Sequence, residues 1–418
     1  MLKKNKKKYC PVCKSNNIKF AFKLNSTPLE DCFQKKNNTN LLDRKLPLNL
    51  IFCKDCTNLF LDYFVNPISS YKKYSYNTSL TSGLNSHYDE YAIQIKKKYF
   101  KKFIKPRLID IGSNDGSLLN SFKKIGFNIL GIEPAKSQAN YAVKSGLPTI
   151  NGYLKSEICD LINKKFHKCD LLTANYMLAN VKNLNIFVKN ISKLIDVNGL
   201  IVIQTGYHPK QFDNFMFDYI YHEHFNYFSI KSLEILFKSI GFRIIDININ
   251  NFKGGSIRVF LASTKNNNFL INSKRIAKFR SYENSLNLHN YNYYYLFIKK
   301  INNHKVKILK FLKNYNKNKI IGFGASHSTT TLIHHFNLDN FLSLIIDDNP
   351  QKHLTFSPGY KIPVYNSKKI NSINADLIII LAWQHKESIY KKHLKTFNKM
   401  NLTVINIMPN LIIESNII

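Results

Sequence analysis

In "YIYHEHFNYFS", residues 219–229, His222, Glu223 and His224 stand side by side among Tyr221, Phe225, Tyr227 and Phe228. Three chemistries fit such a cluster: metal ligation, proton transfer by an imidazole beside a carboxylate, or a hydrogen-bonded aromatic turn. The metal reading lacks an HExxH helix and an evident third ligand. Four of the seven cysteines form CxxC pairs, Cys10/Cys13 and Cys53/Cys56, with 39 residues between them. Two such knuckles converge on one tetrahedral structural Zn²⁺, with no position left open for catalysis. Cys32, Cys159 and Cys169 have no such partners and read as small apolar residues.

"LIDIGSNDGSLL" ends a predicted strand at Asp110, turns at Gly112, Asn114 and Gly116, and opens a helix at about Ser117. Glycines there let backbone N–H groups approach a ligand at a helix N-terminus. The spacing D-x-G-x-x-x-G departs from the dinucleotide fingerprint G-x-G-x-x-G, which suits a ligand without a pyrophosphate. "ILGIEP" then puts Glu133 at the next strand end, where a carboxylate accepts ribose hydroxyls. Asp110 and Glu133 in this order resemble the S-adenosylmethionine methyltransferases; another nucleoside is the alternative. Asn175, at the end of "LLTAN", joins this cofactor set, and "NGY" at 151–153 is a candidate frame for the adenine.

The elements that must position these residues follow from apolar patterning. From Arg107 on, apolar runs of four to six residues alternate with helical spans, which predicts a parallel sheet covered on both faces. Residues 265 to about 315 read as one or two connecting helices, and a second α/β unit begins with "NKIIGFGASHSTTTLI". A chain of 418 residues is too long for one small core. The expected architecture is α/β: a zinc-binding module (1–72), a class I, Rossmann-like methyltransferase domain (73–264), and a helical linker with a second Rossmann-like α/β domain (265–418). The charge of 61 minus 26, or +35, invites an anionic partner. Lys and Asn are nevertheless spread through the chain with Ile, Tyr and Phe, as when a genome favours A and T, so nucleic acid is not the expected partner. No run of 18 apolar residues occurs and "MLKKNKKKYC" lacks a signal peptide's apolar stretch, so the expectation is a cytoplasmic protein without membrane insertion.

Taken together, the knuckles, "DIGSNDGSLL", "GIEPA", "YHEHFNYFS", "GGSIRV" and "GFGASHSTTTLI…DDNPQKHLTFSPGYKIPV" occur in the order seen in the sugar C-methyltransferases, which act at C-3 of nucleotide-linked keto sugars. The resemblance covers nearly the whole chain. It implies S-adenosylmethionine as methyl donor, structural Zn²⁺, a nucleotide-linked sugar substrate, and a C-terminal domain that helps to hold that sugar. It assigns His224 as the base, Glu223 as its support or a substrate contact, and Tyr221 as a hydroxyl near the enolate oxygen. Tyr76 falls near the substrate, and His222, Gly255, Ser256, Arg258, Ser326 and His327 fall on the sugar or its phosphates. The turn with Gly322 and Gly324 is an expected anion cradle at a helix start. Two positions depart from the family pattern: Asn180 replaces a common His, and His327 a common Lys. Methyl transfer to oxygen, nitrogen or another carbon acid stays open, as does an inactive zinc protein binding nucleic acid. Either a monomer or a homodimer is compatible with the sequence.

Overall fold

Strands β1 (Ile18–Thr27) and β2 (Leu46–Cys53) pair antiparallel, and β3 (Leu59–Leu61) adds to β2. The structure is a computed structural model that describes residues 7–30, 32–35, 43–64, 78, 83–400 and 402–414, so Tyr76 lies outside the described residues. Side chains along a strand point to alternate faces. On β2, Leu48, Leu50 and Phe52 accordingly join one core with the C-terminal residues Leu332 and Ile345, while Ile51 and Cys53 join another with Ile109 and Ile203. The small N-terminal sheet is thus a wall shared by the two larger units.

The central sheet holds β4 (Arg107–Ile111), β5 (Asn128–Glu133), β6 (Thr149–Asn151), β7 (Cys169–Asn175) and β8 (Ile195–Gly206), all parallel. After a short strand β9 (Asn226–Tyr227), β10 (Phe242–Asn250) and β11 (Ser256–Ser263) complete it in the order β10-β11-β8-β7-β4-β5-β6, with β11 antiparallel to both neighbours. Both faces are apolar because both are covered: Leu108, Leu171 and Leu200 enter one core, and their neighbours Ile109, Leu172 and Ile201 the other. The chain runs outward from β4 to β6 and returns to β7, which leaves a switch point beside β4, where open α/β sheets bind ligands. Strand β9 pairs with β3, so the N-terminal sheet is completed by the segment that carries His224.

Helices Ser273–Leu286 and Tyr291–Leu312 lead to the second seven-stranded sheet. Its strands are β12 (Ile320–Phe323), β13 (Leu344–Asp347), β14 (Thr355–Phe356), β15 (Pro363–Asn366), β16 (Leu377–Ile380), β17 (Thr403–Asn406) and β18 (Ile412–Glu414), ordered β14-β15-β13-β12-β16-β17-β18. The helix His327–Phe336 after β12 ties the three parts together: Thr330 Oγ1 donates to the Glu30 carbonyl and Thr331 Oγ1 to the Ile220 carbonyl, each at 3.0 Å. Among the described residues no helix is long and apolar enough to cross a membrane.

Candidate active site

Each CxxC turn is closed by a backbone bond, Lys14 N–H to the Cys10 carbonyl and Thr57 N–H to the Cys53 carbonyl, and each passes through a left-handed residue, Lys14 or Thr57. The turns face one another, with Cys10 Sγ 3.4 Å from Cys56 Sγ and Cys13 Sγ 3.5 Å from Cys53 Sγ. All four sulfurs lie within 4.8 Å of one another. Sulfurs about 2.3 Å from one ion at tetrahedral angles are separated by about 3.8 Å, so the set fits structural Zn²⁺. Among the described residues no other cluster of three or more ligating groups occurs, and the histidines at 222 and 224 belong to none.

A cavity of about 310 Å³ opens at the carboxyl ends of β4, β5 and β7, with Asp110, Gly112, Asn114, Glu133 and Asn175 in its wall. Asp110 accepts from Thr173 Oγ1 at 2.6 Å, and burial pushes its carboxyl up to about 7. Glu133 is also pushed up by burial, while N–H groups of Ala135 (2.7 Å) and Asn114 (2.9 Å) hold its two oxygens in place. Each oxygen keeps a further lone pair for a hydroxyl donor. Within the wall, Ser113 Oγ is buried and reaches no hydrogen-bond partner in the protein, and the buried Asn175 amide lies beside the Asp110 carboxylate. Buried polar groups ordinarily find partners, so the Ser113 hydroxyl fits a polar ligand such as the nucleoside and amino-acid parts of S-adenosylmethionine.

The glycines work differently from the expectation. The Gly112 N–H bonds to the Ile132 carbonyl, and the Gly116 N–H to the Ser113 carbonyl, so neither is offered to a ligand. Gly116 does not line the cavity; a Cβ there meets Leu147 Cδ1 at 2.5 Å, which makes it a packing residue. Gly112 has φ +75°, and its missing Cβ makes room for Met177, itself part of the cavity wall. Gly112→Ala is therefore expected to weaken S-adenosylhomocysteine binding about tenfold, because Met177 is displaced in the cavity wall, while the left-handed backbone cost of about 1–2 kcal/mol lowers fold stability instead. Calorimetry checks this.

A second cavity, about 730 Å³, lies between the central and C-terminal units and holds Tyr221, Glu223, His224, Ser326 and His327 in its wall. The two cavities share Tyr176, Asn180 and Lys253. A turn closed by His224 N–H to the Tyr221 carbonyl presents the His224 ring, which stacks on Tyr221 at 4.1 Å. His224 Nδ1 lies 3.1 Å from the Tyr219 carbonyl, an acceptor only, so Nδ1 carries the proton and Nε2 is left as the basic nitrogen. Burial pulls this imidazole down to about 4.

Three family models match the chain in order: "Putative zinc binding domain" over residues 10–71, "Methyltransferase domain" over 84–247 and "C-methyltransferase C-terminal domain" over 251–409. The chain is 23% identical over 383 residues to the C-methyltransferase NovU of Streptomyces niveus, covering 91% of this chain and 90% of that protein. The chain belongs to the S-adenosylmethionine-dependent C-methyltransferases. The ubiquinone biosynthesis O-methyltransferase of Rickettsia prowazekii (strain Madrid E) is 30% identical over 126 residues, 29% of this chain and 48% of that protein. The magnesium protoporphyrin IX methyltransferase from Synechocystis PCC 6803 superposes with a TM-score of 0.34 at 12% identity, over 43% of this chain and 79% of that one.

In this C-methyltransferase several expected contacts sit elsewhere. His222 lies outside both cavities with its side chain fully buried, its Nδ1 2.7 Å from Glu30 Oε1 and its backbone N–H on the same oxygen. The Tyr219 carbonyl orients His224, while Glu223 lines the cavity beside it. Gly255, Ser256 and Arg258 are absent from both cavity walls, and Gly254 lines the second instead. Strand alternation turns Arg258 under the sheet, where Nε donates to Gln204 at 2.7 Å and the guanidinium covers the Tyr91 ring. Ser256 Oγ donates to the Phe252 carbonyl at 2.7 Å. Gly322 and Gly324 admit Leu381 and Ala382, so this turn is closed by side chains and does not cradle an anion. Ser326 caps its helix through Thr329 while His327 lines the second cavity.

Sequence reasoning passed over Glu30, Tyr176 and Lys253; only Lys253 carried a signal, as the first residue of "KGGSIRV". Burial pushes the Glu30 carboxyl up, but the His222 imidazole and N–H bonds outweigh it and hold the group below its ordinary value. Its contribution to stability is therefore present above the unfolded-state pKa of about 4.3 and is lost as pH falls through the lower folded value. Glu30→Ala is expected to lower unfolding free energy by about 3–5 kcal/mol at neutral pH, since it strands a buried partner. Denaturant unfolding at pH 7 measures this.

Proposed function

We propose that the chain transfers a methyl group to carbon C-3 of a nucleotide-linked keto-deoxysugar, next to a C-4 carbonyl. The observation that carries this reading is the shared wall: at Tyr176, Asn180 and Lys253 a nucleoside-type cavity adjoins a larger cavity that holds His224. When bound, S-adenosylmethionine supplies the methyl group as a sulfonium electrophile, held by Asp110, Glu133 and Asn175. Substrate enters the second cavity, where a carbonyl makes the adjacent C–H acidic. His224 Nε2 removes that proton, and the Tyr219 carbonyl keeps the ring in the tautomer that can accept it. Tyr221 keeps the ring in plane and brings a hydroxyl to the same wall. Ser326 and His327, at a helix N-terminus, face the part of the ligand farther from the reaction. Support for a sugar comes from the resemblance, and the likeness to the C-methyltransferase NovU over 91% of this chain supports carbon as the acceptor.

The test uses the protein with S-adenosylhomocysteine and a panel of nucleotide-linked 4-keto-6-deoxysugars in D₂O. Exchange of the C-3 proton, and a product 14 mass units heavier on the ring carbon when S-adenosylmethionine is added, are the expected results. No exchange across the panel, or a methyl group found on oxygen or nitrogen, counts against the assignment.

A further inference from the structure

An imidazole held near a pKa of 4 is a weak base, so it takes a proton from carbon only if the charge appearing on the carbonyl oxygen is met by a strong donor. Lys253 is the only lysine or arginine among the described residues lining the second cavity. It also lines the first cavity and a small recess beside His224. Its placement is built in. Lys253 adopts φ 50°, ψ 39°, a left-handed conformation uncommon for a lysine, just before β11 begins. The turn is pinned on both sides: Gln211 Nε2 donates to the Lys253 carbonyl at 3.4 Å, and Asn214 Nδ2 to the Gly254 carbonyl at 2.9 Å. Gly254 packs so closely on Met216 that a Cβ there would lie 2.1 Å from Met216 Cε. The side chain is thereby sent over Tyr176, with Nζ 4.3 Å from the ring centroid, to the place where the cavities join.

We propose that Lys253 is a catalytic residue, its ammonium being the donor that receives the enolate oxygen. This rests on the proposed carbon methylation of a ketone. In the step, the C–H bond breaks and its proton passes to His224 Nε2. The electron pair becomes the C=C bond, the carbonyl π pair moves to oxygen, and a Lys253 N–H donates to that oxygen while the ammonium keeps its protons. When the C=C pair forms the bond to the sulfonium methyl, the S–CH₃ bond breaks with its electron pair left on sulfur, so that S-adenosylhomocysteine departs as a thioether. The carbonyl is restored, and His224 returns its proton to water. Nothing is oxidised or reduced. A charged donor is about twice as strong as a neutral one, so Lys253 exceeds the Tyr221 hydroxyl or the Asn180 amide in this role. It offsets the loss of the imidazole that the resemblance leads one to expect at 180.

The experiment compares wild type with Lys253→Met, Lys253→Asn and Lys253→Arg in the D₂O exchange assay with S-adenosylhomocysteine bound. Asparagine tolerates the left-handed backbone and guards against a misfolded methionine variant. Both neutral variants should lose about 10²- to 10³-fold in exchange with S-adenosylhomocysteine affinity within about threefold of wild type, and arginine should recover at least about a tenth of the rate. The His224 imidazole, followed by NMR, should titrate higher in the neutral variants, because Lys253 holds it down in wild type. Exchange within about threefold of wild type in both neutral variants overturns the role of Lys253 alone, as does a parallel loss of cofactor binding and exchange. A wild type silent on every keto sugar overturns the functional reading and this inference with it.

Discussion

His224→Gln lowers both C–H exchange and methyl transfer by about 10²- to 10⁴-fold, the contribution of a positioned general base, while leaving S-adenosylhomocysteine binding intact. Glutamine keeps much of the shape and a hydrogen bond to the Tyr219 carbonyl, but offers no basic nitrogen in the place of Nε2. The ring shapes the second cavity and is absent from the wall of the first, so cofactor affinity should stay within a few-fold. A second expected outcome concerns pH. With its pKa pulled down to about 4 by burial, His224 is neutral throughout the neutral range, and the acid limb of the exchange rate should fall near pH 4. An ordinary histidine would place that limb near 6.5. A limb at 6.5, or a glutamine variant that exchanges as fast as wild type, would show that another group removes the proton.

Stripping the metal with a chelator, or replacing Cys53 with serine, should abolish activity and collapse the N-terminal sheet. Structural Zn²⁺ contributes about 10–16 kcal/mol in small zinc modules, more than most domains have in reserve. The loss reaches the active site through defined contacts. Cys53 ends β2 and Cys56 lies three residues before β3, whose partner is β9. The Leu61 N–H also bonds the Phe225 carbonyl, next to His224. Metal content by emission spectroscopy, set against far-UV circular dichroism and exchange rate, measures this. Full activity with less than a tenth of an equivalent of zinc per chain would remove the metal from the account.

Much of this protein was readable from local chemistry. Cysteines three apart in two short turns announce a tetrahedral site because the ligand spacing is set within a few residues. The runs "RLIDI" and "LIVIQTG" announce buried parallel strands because both faces need apolar side chains. Asp110 and Glu133 fell in the wall of one cavity because strand ends in such a sheet face one crevice. Roles within the loops were harder to read. Arg258 looked like a substrate contact by its company, yet two residues inside a strand its direction is dictated by the pleat. Gly322 and Gly324 looked like an anion turn, but the same lack of a Cβ serves Leu381 and Ala382.

By itself, then, the sequence determined the metal ligands, the succession of elements and the chemistry on offer, because each depends on residues close together in the chain. Only the tertiary structure decided that, of three consecutive polar residues, Glu223 and His224 meet the second cavity and His222 does not. His222 is taken by Glu30, 192 residues earlier, and His224 is turned to the other side by a bond to Tyr219. It likewise decided that the N-terminal sheet is finished by β9 and that Lys253 stands where the two cavities join. Those outcomes arise from contacts between distant segments, and no local pattern of residue types encodes which partner a buried imidazole or a strand edge will find.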